Sequence, residues 1–511
     1  MKIPELLAML LYFVLVIVVG VFFFLRNRRN GGSEKEYFLG GRNMNAWVSA
    51  LSAGASDMSA WVLMGLPGAI YEYGIGQVWI SVGLLIGTVC AWVFVAPVLR
   101  RYSILANDSI TIPQFLTNRF LTDRKEIMVF SAIVFMVTYC IYAASSIFAC
   151  GTLFNTVLGM DPKVAMIIAT AVIVCYTFLG GFNAVCWTDF FQGLLMLGAL
   201  MLAPILAAVM IKAPSYTPPA GELPANYYNI LSSGTFDWKS LSEIITGLGW
   251  GLGYFGMPHI LVRYLAVRSE KDMRRSQIIG CGWIFIILTM ASVAGLVGRK
   301  FLGDTLTKGN GDNSLVFINM VRRVFEWLGG NSTALTVIMI FLAGILLSAI
   351  LAASMSTADS QLLASASAFA SDMYKPLFRK KATDREMMWA GRLIVLVIAV
   401  AAFCIASSPG CKGIMALVSC AWGAFGAAFG PVILLSLYWK RMTYPGALAG
   451  IIAGFAADAV WYIWLADRTG IYELVPGFFF SLIVVVIVSL MTKKPSGEVT
   501  ALFEKARRSL E

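Results

Sequence analysis

Histidine occurs once in 511 residues, at His259, and charged side chains make up only 13% of the chain. A single histidine excludes a proton relay built on histidine pairs and a histidine-rich zinc site. So little charge, with 59% hydrophobic residues and a mean hydropathy of +0.78, excludes a soluble globular domain. The nine cysteines are an odd number without metal-ligand spacing. Most, such as Cys90, Cys140, Cys175, Cys281 and Cys404, lie in apolar runs and read as small buried hydrophobes, while Cys411 in "SSPGCKG" reads as exposed. A nucleophile–His–acid set is missing, which argues against an enzyme, and no organic cofactor is called for. A repeated ring of filter residues is missing too, which argues against an ion channel, the rival from another class.

What the chain does have is apolar runs. A span needs about 20 apolar residues to cross a hydrocarbon core. Thirteen such stretches are expected near 5–25, 45–72, 77–99, 128–157, 164–187, 190–212, 240–264, 277–300, 331–370, 388–407, 413–438, 445–466 and 472–491. The first is too long for a signal peptide, lacks a cleavage site and is followed by "RNRRN", so it reads as retained. The net charge of +11 would suit a nucleic-acid binder if it were spread over one surface. Instead Lys and Arg cluster in alternate connections: "RNRRN", "RRYS" with "DRKE", "RYLAVRSEKDMRRS", "YKPLFRKKATDRE", "WKRM" and "KKPSGE". Basic loops stay in the cytoplasm, which places the N-terminus outside and the C-terminus inside a cell (plasma) membrane. Residues 213–239, with "APSYTPPAGELP", are then an external Pro-rich loop.

Two of these spans carry helix breakers in their interiors. The second contains "GASDMSAWVLMGLPG" and the seventh "TGLGWGLGYFGMPH". Each glycine costs a helix about 1 kcal/mol and each proline about 3 relative to alanine, so both stretches are poor continuous helices, although glycines also let helices pack closely. The two spans are five apart, so each opens one of two five-span units of opposite orientation. Broken helices in corresponding places of two halves are the mark of a transporter binding site at the midplane.

A third feature is "LLSAILAASMSTADSQLLASASA". Ala353, Ser356 and Thr357 stand at i, i+3 and i+4, which puts one carbonyl and two hydroxyls on one helix face. An all-oxygen set suits a hard cation of low charge, although Ser and Thr also serve as packing glue between membrane helices. Asp57 poses the sharpest question, because a carboxylate at mid-membrane costs about 2.5–3.5 kcal/mol on insertion scales. Either a cation or the N-terminus of a half-helix offsets that cost.

The stretches "LGGRNMNAWVSALSAGASDMSAWVLMGLPGAIY", "YTFLGGFNAVCWTD", "GWGLGYFGMPHILVRY", "GILLSAILAASMSTADSQLL", "CAWGAFGAAFGPV" and "YWKRMTYPGALAGIIAG" together resemble the sodium/solute symporters nearly end to end. The resemblance implies an all-α integral membrane protein with a five-plus-five inverted-repeat core, as in the leucine transporter. Residues 45–212 would form the first repeat and 240–438 the second, with peripheral helices at 5–25 and 445–491 and a cytoplasmic tail at 492–511. It implies symport of Na+, the coupling ion, with a small zwitterionic solute, L-proline, or with another small carboxylate such as pantothenate. Carried over by position, sodium would be held by the Ala55, Met58 and Ala353 carbonyls and the Ser356 and Thr357 hydroxyls, with Asp57 in or beside the site. The solute would meet Ser59, Tyr142, Trp250, Tyr254 and Pro258. Arg42 and Asp189 match positions on the inner side of the ion route. Two residues beside the pocket depart from the proline pattern: Ala60 stands where Gly is usual, and Met257 replaces Gln. His259 follows Pro258 directly and reads as structural.

Overall fold

The computed structural model describes residues 3–29, 33–219, 221–308, 311–330 and 332–508, and within them the chain is helical, with no strand. Asn30 of the first basic cluster, residue 220 of the Pro-rich loop, residue 331 at the start of the ninth expected span and the last three residues of the tail lie outside the described residues.

The apolar helix α1 (Ile3–Arg29) is followed by the short α2 (Glu34–Leu39), whose N-cap Ser33 accepts the Glu36 amide. The second expected span comes in pieces. Helix α3 (Ala46–Asp57) starts on an Asn45 cap and stops because Met58 leaves helical geometry (φ −79°, ψ 75°). A wide turn over Trp61–Gly65 then leads into α4 (Leu66–Tyr73). Helices α5 (Val78–Cys90) and α6 (Ala96–Leu105) form the third span, and α7 (Ile112–Asn118) is a short piece before α8 (Glu126–Leu158).

Helix α9 (Pro162–Ile211) turns back on itself at Gly181, whose φ of 62° and ψ of −164° a side chain would disfavour. The turn therefore falls several residues before the expected boundary at 187–190, and Asp189 sits inside the returning helix rather than in a connection. The glycine pair opens "GGFNAVCWTD", the short connection without basic residues expected after the fifth span, of which only the start turns.

The seventh span repeats the pattern of the second. Helix α10 (Trp238–Gly249) tightens into a 3-10 turn over Trp250–Phe255, halts at Gly256 and Met257, and resumes as α11 (Pro258–Leu265). Here the glycines serve packing as well as the break. A Cβ on Gly251 would stand 2.1 Å from the Gly83 carbonyl oxygen, and one on Gly87 2.2 Å from that of Gly251, so the two backbones touch.

The remainder comprises α12 (Glu270–Leu302), α13 (Val316–Gly329), α14 (Thr333–Ser367), which runs on as a π-helix to Phe378, α15 (Asp384–Ala406), α16 (Ile414–Tyr438), α17 (Tyr444–Trp464), the single turn α18 (Ala466–Thr469), α19 (Leu474–Met491) and α20 (Gly497–Arg508). Ten helices among the described residues are long and apolar enough to cross a membrane by length and composition. The broken second and seventh spans and the short Pro162–Phe178 segment are not among them. Besides the short α2 and α7, two longer helices fall where only connections were expected. Helix α13 buries Val316, Phe317, Val321 and Val324 on one face, and α20 docks the C-terminal tail through Phe503, 6.3 Å from the Tyr102 ring. Of the cysteines read as buried, Cys175 and Cys404 are exposed on helix faces and Cys90, Cys140 and Cys281 are half-buried, as is Cys411, which was expected to be exposed. At the centre, α14 packs against α1, α8, α9 and α3, which puts its small-residue stretch beside the break in the second span.

Candidate functional site

The oxygen face of α14 meets that break directly. Ser356 Oγ donates to the Ala55 carbonyl at 2.8 Å and lies 3.1 Å from the Ala353 carbonyl; Thr357 Oγ1 donates to Ala353 at 3.1 Å. Ala55, Met58, Ala353, Ser356 and Thr357 are all fully buried. Four of the five residues carried over for the ion, Ala55, Ala353, Ser356 and Thr357, therefore meet around one cross-helix hydrogen bond, and Met58 follows at the end of α3. Among the described residues no group of three or more His, Cys, Asp or Glu could hold a metal, so a cation here has hydroxyl and carbonyl oxygens to bind. Those are the donors a hard monovalent ion accepts.

Asp57 faces the other broken span. Its carboxylate accepts the Tyr254 hydroxyl, its Oδ1 has no partner, and its carbonyl accepts the Trp61 indole N–H at 3.2 Å. The side chain does not cap the next turn. Ser59 heads it instead, with the Val62 amide donating to the Ser59 carbonyl at 3.1 Å. An aromatic wall continues from Tyr254: Trp422 lies edge-on to it at 5.2 Å, and the Trp422 indole N–H donates to the Trp250 carbonyl at 2.8 Å. Trp250 in turn stacks on Tyr472 at 5.0 Å and sits 6.4 Å from Trp61. Tyr142 approaches from α8, its ring 6.2 Å from that of His259 and its hydroxyl unpartnered. Pro258 and His259 open α11 just below. Asp57 and Tyr254 are thus bonded, and Trp61 and Trp250 are neighbours, across the two broken spans, and Ser59, Tyr142, Pro258, Ala60 and Met257 are buried.

The two residues expected on the inner side fall into separate networks. Asp189 Oδ2 accepts Arg263 Nη2 at 2.9 Å and Ser52 Oγ at 2.6 Å in a fully buried ion pair. Arg263 also donates to Ser52, to Ser360 and, at 2.5 Å, to the His259 carbonyl. Beside it Asp359 accepts the Tyr176 hydroxyl at 2.7 Å. Arg42 belongs to a second network, at the start of α3. It pairs with Asp108 at 2.9 Å and donates to the Leu265 and Ser109 carbonyls at 2.8 Å each, while Lys35 takes the other Asp108 oxygen. Partial burial pushes the Asp108 carboxyl up, but Lys35 and Arg42 outweigh it and hold it below the ordinary carboxylate range. Backbone bonds between Met44 and Ala266 (3.0 Å) and between Arg268 and Met44 (2.9 Å) close the same clasp.

Sequence reasoning passed over Ser52, Arg263, Asp359 and Ser360. Their signal was present, because an ionisable residue inside an apolar run is a functional-site candidate with a partner to be found. Arg263 was counted as part of a basic connection, and Asp359 was hidden among the serines of "STADSQ".

The sodium:solute symporter family profile matches residues 37–454. The chain is 43% identical over 474 residues to the high-affinity proline transporter PutP of Bacillus subtilis, covering 92% of this chain and 95% of that protein. It is 40% identical to the sodium/proline symporter of Escherichia coli K12, over 92% of this chain and 90% of that one. Among solved structures, a Na+-coupled sialic acid symporter in a substrate-bound outward-open state superposes with a TM-score of 0.72 at 20% identity, covering 96% of this chain and 99% of that one. The two chains share a fold.

Proposed function

This chain belongs to the sodium:solute symporter family, and we propose that within it the protein is a transporter, not an enzyme, that couples inward sodium movement to uptake of L-proline by alternating access. The observation that carries the reading is the hydrogen bond from Ser356 on α14 to the Ala55 carbonyl at the break in the second span. It supports a cation site at the Ala55, Met58 and Ala353 carbonyls and the Ser356 and Thr357 hydroxyls. Asp57 lies beside that site and links it, through Tyr254, to a solute pocket bounded by Ser59, Tyr142, Trp250, Tyr254 and Pro258.

In this reading thirteen spans cross the cell membrane, with the N-terminus outside and the C-terminus in the cytoplasm. Residues 45–212 and 240–438 are the inverted repeats, and the broken spans are their first members. Residues 5–25 and 445–491 are peripheral, and 492–511 is the cytoplasmic tail. External sodium ties α3 to α14 and completes the pocket; the solute binds, the outer path closes, and the clasp around Arg42 and Asp108 opens inward. Asp189 steadies the inner route through Arg263. One sodium ion supplies about 2.3 kcal/mol at 100 mV and about 1.4 per tenfold gradient. Together these support accumulation of several hundredfold at most.

The test is uptake of radiolabelled L-proline into proteoliposomes with and without an imposed sodium gradient, with pantothenate and other small carboxylates as competitors. Gradient-dependent accumulation that unlabelled proline abolishes is the expected result. Sodium-independent flux with a rapid voltage change would favour a channel, and stronger competition by pantothenate would reassign the solute.

A further inference from the structure

Residues 445–491 stand outside both proposed repeats, yet the packing ties them to the broken seventh span. Helices α17 and α19 are joined by residues 465–473, which include the single turn α18, and this connection is fastened to α10 at three points. The Trp238 indole N–H donates to the Thr469 carbonyl, Thr246 Oγ1 donates to the Gly470 carbonyl, and the Tyr472 amide donates to Thr246 Oγ1, each at 3.1 Å. Three bonds to one helix fix the register of the connection.

The start of α19 then fills space that glycines leave open. A Cβ on Gly249, at the end of α10, would collide with Val475; on α16, one on Gly426 would collide with Leu474 and one on Gly430 with Phe478. Small residues let helices approach this closely. Tyr472 is carried inward with the same face and is 7% exposed. Its hydroxyl donates to the Ser419 carbonyl of α16 at 2.7 Å, so the residue is held at its amide and at the far end of its ring.

The ring is held against Trp250. Trp61 and Trp422 stand 6.4 Å from the Trp250 ring with planes inclined at 34° and 29°, whereas Tyr472 stands at 5.0 Å and 20°. Tyr472 is the nearest and most nearly parallel of the three. Trp250 opens a 3-10 turn, in which hydrogen bonds are poorer than in an α-helix, so ring packing has more say in where the indole stands.

We propose that Tyr472 is a positioning residue for solute selection: it backs the Trp250 indole, sets how far that wall of the solute pocket can retreat, and so fits the pocket to a five-membered ring. The inference rests on the solute pocket described above and adds to it a residue from helices that neither repeat contains. Removing the Tyr472 ring leaves room behind Trp250. A solute with one more methylene in its ring then gains what L-proline loses. L-Pipecolate, the six-membered homologue with the same carboxylate and amine, is the probe.

The experiment uses the purified full chain in proteoliposomes at saturating sodium, with KM and kcat measured for L-proline and KI for L-pipecolate. Tyr472→Ala is expected to raise the L-proline KM on the order of tenfold, the worth of one aromatic pair, with kcat little changed. The ratio of pipecolate KI to proline KM should fall by at least the same factor. Tyr472→Phe keeps the ring and should keep the wild-type ratio. Tyr472→Leu fills most of the volume without a stacking face, and its ratio should fall too, which keeps the test open if the alanine variant does not fold. A ratio unchanged in Tyr472→Leu and in any folded Tyr472→Ala, with only kcat or protein yield reduced, would show that the ring serves stability alone and overturns the proposal. A Tyr472→Phe variant as unselective as Tyr472→Leu overturns it as well. Absence of sodium-driven L-proline uptake by the wild type would overturn the transport reading; wild-type uptake with an unchanged ratio in the variants overturns the role of Tyr472 alone.

Discussion

Removing the Thr357 hydroxyl tests the proposed ion site most directly. Thr357 Oγ1 gives its proton along its own helix to the Ala353 carbonyl at 3.1 Å, so its lone pairs stay open to a cation. Ser356 is placed differently. Its proton has two acceptors, the Ala55 carbonyl across the helix interface at 2.8 Å and the Ala353 carbonyl at 3.1 Å. An ion that takes the Ala55 carbonyl must displace the first bond, worth about 0.5–1.5 kcal/mol, while a hydrogen-bonding oxygen facing a charge is worth about 1.5–3 kcal/mol. Thr357→Ala is therefore expected to raise the half-saturating sodium concentration on the order of 10- to 100-fold. In Ser356→Ala the lost ligand is offset by the lost competitor, leaving about 1–1.5 kcal/mol, or on the order of tenfold. Thr357→Ser should stay near wild type. The assay is the sodium dependence of initial L-proline uptake at fixed solute concentration, in proteoliposomes with matched protein content. A larger shift in Ser356→Ala than in Thr357→Ala would refute the displaced-bond argument, and no shift in either would remove the ion from this place.

Tyr254→Phe strips the Asp57 carboxylate of its hydroxyl donor, so Asp57→Asn and Tyr254→Phe are expected to couple by about 1.5–3 kcal/mol in a double-mutant cycle on uptake; fully additive losses would contradict the contact. Asp189→Asn strands a buried guanidinium and should cost about 3–5 kcal/mol in the thermal unfolding of purified protein, with partial recovery in Asp189→Asn/Arg263→Gln; no recovery would mean that the pair is not the cause. For the clasp, the sign follows from the depressed Asp108 carboxyl. Its contribution is complete above the unfolded value of about 3.9 and fades only as pH falls through the lower folded one. Labelling of a cysteine introduced at Ser367, in a chain otherwise free of cysteine and with each rate divided by that of a free thiol at the same pH because the thiolate is the nucleophile, should therefore be equally slow at pH 8 and pH 5 and faster in Asp108→Asn; a normalised rate at pH 5 as fast as the variant's would count against it.

Legibility followed locality. The break after Asp57 could be read because Gly54, Gly65, Pro67 and Gly68 crowd one apolar run, and propensity acts on neighbours in sequence. The i, i+3, i+4 spacing of Ala353, Ser356 and Thr357 could be read because a helix fixes which side chains share a face. That these oxygens meet the Ala55 carbonyl 301 positions away is a fact of packing, and only the family resemblance anticipated it. Arg263 shows the opposite case. In sequence it opens a basic stretch and looks like a topology signal; in the fold α11 still carries it inward, to Ser52, Asp189 and Ser360. Positive charge near a helix end does not reveal which side of the interface the side chain takes. The turn at Gly181 falls in the connection "GGFNAVCWTD" expected after the fifth span, but the end of that span at 187 was set too late, since one backbone angle decides it and apolar residues continue on both sides.

On the proposed orientation, the inner halves of the two broken spans are tied directly to each other. The 2.9 Å bond from Arg268 to Met44 and that from Arg263 to Ser52 join α11 and α3 into one unit. This unit is held to the α9–α14 scaffold at two levels. Arg263 reaches Asp189 and Ser360 near the middle, and Ala55 meets Ser356 at the tip of α3. On the proposed assignment, sodium enters at the tip and replaces one neutral hydrogen bond by an ion shared among several oxygens, which strengthens that tie without touching the Arg263 level. Asp57, two residues along, is bonded to Tyr254 on the outer side of the other break. Fixing Ala55 therefore fixes Asp57 relative to Tyr254, and the solute meets an ordered wall only when the ion is in place. Coupling then needs no long chain of contacts: three consecutive residues, Ala55 to Asp57, connect the two sites, and the non-helical Met58 keeps the outer half-helix α4 from moving with them.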